Sequence, residues 1–119
     1  MNFTDLKIWQ ESHNLSLKIY KETKKFPKSE IFGITSQIQR CSSSVPANIA
    51  EGFGRKSKNE FIQFLTQARG SLYESQNFVY LSRDLGYISK ENSEILINEY
   101  ESLAKMLNSF ISKVKYNND

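Results

Sequence analysis

One cysteine, one histidine, one tryptophan, two prolines and five glycines are all that punctuate this 119-residue chain. Each scarcity excludes something. Cys41 alone cannot close an intramolecular disulfide, which fits a reducing compartment. It falls on an apolar stripe with Arg40 as its one basic neighbour, so a buried thiol is expected rather than a nucleophile. His13 has no second histidine and no obvious carboxylate partner, so a packed ring is expected rather than a metal ligand or an acid–base group. No apolar run approaches the roughly 20 residues of a membrane span. Met1-Asn2-Phe3-Thr4 opens no signal peptide, so the expected address is the cytoplasm, with no membrane partner. The sequons at Asn2 and Asn14 then carry no weight. Paired carboxylates, a metal-ligand cluster and an activated nucleophile are all missing, so neither an enzyme nor a cofactor is expected. No stretch alternates with period two over the length of a strand, which leaves an all-α fold.

What is present is ordinary for a soluble globular protein: 39% hydrophobic and 24% charged residues. That suits one domain over residues 1–119, large enough for a core without staples. Helices are expected at about 5–26, 34–52, 58–85 and 89–115 from their apolar periods, caps and breakers. The first is capped by Thr4 or Asp5 and ends at Phe26-Pro27. It carries two stripes. Leu6, Trp9, His13, Leu17 and Tyr20 form one; Ile8, Leu15, Ile19 and Phe26 form the other, with Ser12, Ser16 and Thr23 between. So wide a face implies packing inside a bundle and against something else. The third helix repeats the pattern: Phe61, Leu65, Ala68, Leu72 and Val79 are its core stripe, with Ile62, Tyr73 and Tyr80 on one flank and Phe64 and Phe78 on the other. Leu96, Tyr100, Leu103, Leu107, Phe110, Ile111 and Val114 mark the fourth. Short loops between long amphipathic helices dictate an antiparallel up-down-up-down four-helix bundle.

The chain turns on the stretch from Ser44 to Phe61. Val45 and Ile49 continue the stripe of Ile34, Ile38 and Cys41 across Pro46, so a kinked helix is expected rather than two short ones. The hydroxyls of Ser42, Ser43 and Ser44 are expected to bond the freed backbone groups. Gly52 and Gly54 are expected to stop the helix in the left-handed conformation, and Ser57 with Glu60 to cap the next. Gly86 closes the third helix and Ser89 opens the fourth. Asn48 is placed to bridge helices, and Glu51 to pair with Arg55 four residues on. Gly52-Phe53-Gly54-Arg55-Lys56-Ser57 echoes a phosphate-binding loop, but lacks its spacing and preceding strand.

The net charge is +3 and the pI near 9.0, which permits nucleic-acid contact without demanding it. The topology sorts the charges. Arg55, Lys56, Lys58, Lys7, Lys113 and Lys115 fall at one end, against Asp5, Glu51, Glu60 and Asp119. At the other end Lys21, Lys24, Lys25, Lys28, Arg83 and Lys90 are balanced by acids. The corner between the second and third helices is the candidate anion-binding end, where a helix N-terminus flanked by cations suits an RNA phosphate. Trp9, Tyr20, Phe53, Tyr73 and Tyr80 would stack on bases if exposed. At helical spacing most of them suit a core or an interface.

Asp5-Leu6-Lys7-Ile8-Trp9-Gln10, Phe26-Pro27, Gly33-Ile34-Thr35-Ser36-Gln37-Ile38, the block from Ser44 to Arg55, Gly70-Ser71-Leu72-Tyr73-Glu74 and Leu85-Gly86-Tyr87 together are distinctive. They resemble the 23S rRNA intervening-sequence protein family, small bacterial four-helix-bundle proteins sometimes given a ribosomal S23 label. The resemblance runs from Phe3 to about Val114. It implies a bundle that assembles into a ring, typically a homopentamer. Accessory proteins of diversity-generating retroelements are similar in fold and assembly, and bind nucleic acid and a reverse transcriptase. The implied partners are other copies of the chain, RNA or DNA, and a protein. Two functions are therefore expected: nucleic-acid binding through basic surface, with RNA favoured, or a scaffold that recruits a protein partner.

Overall fold

The computed structural model describes residues 1–117, and among them there are helices and no strands. Four long helices carry the fold: α1 (Lys7–Thr23), α2 (Ile34–Phe53), α3 (Lys58–Asp84) and α4 (Lys90–Tyr116). Hydrogen bonds fix their directions. Lys58 Nζ donates to the Asn117 carbonyl, Arg69 to Asn108, and Gln76 to the Ile97 carbonyl, so α4 descends as α3 climbs. Lys18–Glu99 and Asn92–Glu22 do the same for α1 and α4. Ser71–Ser44, and the approach of Gly52 to Phe61 and Phe64, do it for α2 and α3. Gln39 of α2 donates to Thr23 at the end of α1, while the 3-10 turn Phe3–Asp5 packs against α2. Each helix packs on its sequence neighbours and α1 closes on α4; among the described residues the backbones of the diagonal pairs, α1 with α3 and α2 with α4, do not come close. The bundle measures 49 × 24 × 20 Å.

The core is the set of inward stripes. Ile8, Leu15 and Ile19 meet Ile38, Val45 and Ile49, and Leu65, Leu72 and Val79 meet Tyr100, Leu103 and Leu107, all within 2% of full burial. Small hydroxyls fill the layers between: Ser12, Ser42, Ser75, Ser82 and Ser93 are buried. Four of the five give the proton to a carbonyl of their own helix, as Ser12 does to Trp9 and Ser75 to Ser71, while the Ser82 hydroxyl is buried without a partner. Of the two stripes of α1, the one with Ile8, Leu15 and Ile19 is the core. The stripe with Leu17 and Tyr20 lies on the outside, where these two are 57% and 44% exposed.

Several local expectations need correction. The first helix begins at Lys7, because Asn2 and Asp5 form a capping box around the preceding 3-10 turn, and Leu6 caps α1 without a side-chain bond. It ends at Thr23; Lys25 and Phe26 donate back only three residues, tightening the chain ahead of Pro27. The second helix does run through Pro46 as one helix, as expected. The hydroxyls of Ser42 and Ser43 reach back to Gln39 and Arg40 rather than to the carbonyl at Ser42 that the proline frees. Asn48 stays on its own helix, donating to the carbonyl and hydroxyl of Ser44; the link to α3 is Ser71–Ser44. Neither Gly52 nor Gly54 is left-handed: Gly86, at φ +82°, alone has positive φ. Gly52 is needed for closeness instead, since a Cβ there would lie 2.7 Å from the Cβ of Phe64. Gly86 does its expected work, with Tyr87 donating to the Ser82 carbonyl and Gly86 to that of Arg83, the paired bonds of a Schellman stop.

Candidate nucleic-acid interface at the α2–α3 corner

The corner is built by three neighbours in sequence and one from afar. After Phe53 the amide of Gly54 donates to Ala50 and Glu51, and that of Arg55 to Gly52, which turns the chain. Ser57 then accepts from the Glu60 amide at 3.3 Å and starts α3; this is half of the expected capping box. The Glu60 carboxylate faces Arg55 instead, at 4.0 Å. The last turn of α4 comes alongside, held by the bond from Lys58 Nζ to the Asn117 carbonyl at 2.8 Å. Between them lies an open groove of about 250 Å³ lined by Arg55, Lys56, Ser57, Lys58, Phe61, Val114 and Asn117.

Of the six expected cations, three line this groove, and Lys113 and Lys115 flank its Val114 wall on α4. Lys7 opens α1 and does not line it. Their availability differs. Arg55 is engaged: it meets Glu51 at 2.5 Å, as its spacing foretold, and lies 5.0 Å over the ring of Phe64. Lys58 gives a proton to Asn117, and Lys115 sits 5.6 Å from the ring of Tyr116. Lys7, Lys56 and Lys113 have no carboxylate partner among the described residues. Asp119, expected among the acids of this end, lies outside the described residues.

Phe61 is the groove residue that the sequence assigned to the core. It sits edge-on to Phe110 and Phe53, half-buried, and its position in the first turn of α3 is the signal that it also reaches the end of the bundle. Of the aromatics considered for base stacking, Phe53 alone is at the corner, half-buried against Phe61; the others are elsewhere. Tyr20, Tyr73 and Tyr80 are exposed along α1 and α3, away from the groove, while Trp9 stacks on His13 with ring centres 4.6 Å apart. That stack is the packed environment expected of His13. Cys41 is buried, with burial raising its thiol pKa. Among the described residues no cluster of three or more His, Cys, Asp or Glu side chains is arranged to hold a metal. No helix among them is long and apolar enough to cross a membrane.

Four long helices, no strands among the described residues and a basic corner define a small all-α helical bundle protein. The sequence profile of the 23S rRNA-intervening sequence protein matches residues 4–109, and the chain belongs to that family. Its fold is that of a crystal structure of a protein of unknown function from the S23 ribosomal protein family of Bacteroides thetaiotaomicron VPI-5482. The two are 27% identical with a TM-score of 0.78, over 87% of this chain and 97% of the other. No curated protein matches.

Proposed function

We propose that this protein is a non-catalytic, oligomeric RNA-binding protein of the cytoplasm, gripping the nucleic-acid backbone at the α2–α3 corner. The observation that carries the reading is the groove itself. Lys56 and Lys58 on one wall face the last turn of α4, where Lys113 and Lys115 sit, around an end that holds six cations against three described carboxylates. Backbone contact of this sort depends on charge and reads little sequence. RNA is preferred to DNA because the family is named for an rRNA insertion. Self-assembly, with the homopentamer as the expected form, would multiply a charge of +3 per copy and make contact multivalent.

The test is an RNA-binding titration at two salt concentrations, with oligomer mass measured in the same buffers. The native protein is compared with Arg55→Ala/Lys56→Ala/Lys58→Ala. Each lost phosphate contact removes roughly 0.7 from the slope of log affinity against log salt on single strands, so the variant's slope should fall by about 2 at most. Arg55, already paired, should contribute least. An intact oligomer that binds no RNA at low salt would sink the reading.

A second reading, a scaffold that recruits a protein, draws on the opposite end of the bundle. There Ile31 and Phe32 are 59% and 94% exposed, beside Leu85 at 49%. Their loops are tied by Tyr87, which donates to Glu30 at 2.8 Å. Binding of a protein partner that Phe32→Ser abolishes, with RNA binding absent, would favour it.

A further inference from the structure

We infer that the polar cleft between α2 and α3, where Arg40 and Glu74 stand on facing walls, takes up a single unpaired guanine base. The inference deepens the RNA-binding reading, on which its ligand class rests, by adding a site that reads a base to a corner that grips only backbone.

The cleft holds about 430 Å³ and is lined by Gln37, Arg40, Cys41 and Ser44 of α2 and by Ser71 and Glu74 of α3. Spacings of three and four residues put Gln37, Arg40 and Ser44 on one face of α2, and Ser71 with Glu74 on one face of α3. The Ser71 hydroxyl donates to that of Ser44 at 3.1 Å, which ties the two walls together, and Asn48 donates to the same oxygen at 3.0 Å. With both lone pairs accepting, the Ser44 hydroxyl keeps its own proton to give. Gln37, Ser44, Ser71 and Glu74 all fall in the distinctive sequence blocks, and none of them lines the corner groove.

Charge carries the argument further. Of the four arginines in the chain, Arg55 pairs with Glu51, Arg69 bonds Asn108 and Arg83 pairs with Asp84. Arg40 alone has a guanidinium without a partner among the described residues, and it is exposed. The exposed carboxylate of Glu74 likewise has no cation or hydrogen-bond donor among them. Two opposite charges thus line one cleft without pairing with each other. A ligand that fits must offer acceptors to the one and donors to the other.

Guanine has those edges side by side. Its O6 and N7 accept two bonds from a guanidinium fork, and its neighbouring N1–H and N2–H give two to a carboxylate. Adenine, cytosine and uracil each present one donor group flanked by acceptors, so each would leave a Glu74 oxygen facing a lone pair. A neutral base also leaves Arg40 and Glu74 balanced once it is bound. It must be unpaired, because a duplex occupies one of these edges and hides the other in the deep groove of A-form RNA. No aromatic side chain lines the cleft, so hydrogen bonds rather than stacking do the selecting. From Lys58 to Ser71 α3 advances roughly 20 Å, which puts the cleft within a few nucleotides of a strand held at the corner.

The test has two arms, run on the native protein, on Glu74→Gln and on Lys56→Ala/Lys58→Ala. All three positions are exposed, and circular dichroism checks that the variants fold. In the first arm, ligand-observed saturation-transfer NMR compares the 5′-monophosphates of guanosine, adenosine, cytidine and uridine. The guanosine nucleotide should bind roughly tenfold more tightly than the others, and Glu74→Gln should bring it down to their level while the corner variant does not. In the second, fluorescence anisotropy compares an oligouridylate strand with the same strand carrying one central guanosine. The guanosine strand should bind roughly tenfold better to the native protein, and no better to Glu74→Gln. Four monophosphates bound alike, or a guanosine preference that survives Glu74→Gln, would overturn the inference, and RNA binding could stand without it. A guanosine preference in the first arm, lost in Glu74→Gln, with neither strand bound in the second, would uphold the cleft and sink the RNA reading instead.

Discussion

Two helical glycines, Gly52 in the last turn of α2 and Gly70 midway along α3, are predicted to respond to the same substitution with opposite signs. Gly52 lies where α2 meets α3, and a Cβ on it would stand 2.7 Å from Phe64 Cβ and 2.9 Å from Phe61 Cδ1. Ordinary contact begins near 3.4 Å. Because the Phe64 atom is a Cβ, fixed to its backbone, no rotamer change relieves the clash and the helices must part. Overpacking of that kind costs about 1–3 kcal/mol, and its upper range applies to a backbone-fixed obstacle. Replacing a helical glycine by alanine returns about 1 kcal/mol, so Gly52→Ala should be destabilising by about 1–2 kcal/mol. For a chain of this size the midpoint should drop by roughly 4–10 °C. At Gly70 nothing opposes the gain, and Gly70→Ala should stabilise the isolated fold by about 1 kcal/mol. Both are measured by thermal and urea unfolding at one fixed protein concentration, so that assembly enters every midpoint alike. If Gly52→Ala is as stabilising as Gly70→Ala, the close approach of α2 and α3 has been misread.

Burial raises the pKa of Tyr100, and the hydrogen bond to Glu30 raises that of Tyr87, both from an ordinary 10.0. The fold favours the protonated phenols. Their contribution to stability is therefore complete below pH 10 and is lost as pH climbs above it. Urea midpoints taken at pH 9 and 11 should show the loss, and Tyr100→Phe should flatten it; an unchanged pH slope in that variant would refute the assignment. At pH 7 the same variant should be neutral or more stable by about 1 kcal/mol, since the buried Tyr100 hydroxyl has no partner and the neighbouring Ser75 gives its proton to Ser71. Cys41, buried and with its thiol pKa raised, should react with a disulfide reagent at pH 8 at least tenfold more slowly in the native protein than in urea. Equal rates would place it at the surface.

Helices, order and core were legible because each depends on spacing. The 3.6-residue period of Leu65, Leu72 and Val79, or of Leu96, Leu103 and Leu107, is fixed by which side faces the core and needs no knowledge of the partner. The stop at Gly86 was legible because a left-handed residue is a local demand. Gly52 was misassigned for the opposite reason: its constraint is set by Phe61 and Phe64 in another helix, and a glycine placed for closeness looks in sequence like one placed for a turn. One helix across Pro46 was legible, but the acceptors of the nearby serines and of Asn48 were not, because serine and asparagine choose among carbonyls 3 to 4 residues back. At the corner, antiparallel order alone brought α4's last turn to Lys58, and Glu51–Arg55 followed from i, i+4 spacing. That Glu60 would also face Arg55 was hidden, because the turn between them bends out of helical register.

The cations at the corner are not equally available. Arg55 is the most conspicuous cation in the sequence, yet two carboxylates and a ring already surround it, so its part is to brace the turn. The cations without such partners, Lys56 and Lys113, come from segments far apart in sequence that only the closed bundle unites. A single copy therefore offers a nucleic acid very few uncommitted charges, too few for tight backbone binding at physiological salt. The exposed tyrosines of α1 and α3 do not line that groove. On the reading proposed here, it is assembly of several copies that lets one RNA strand meet several corners at once.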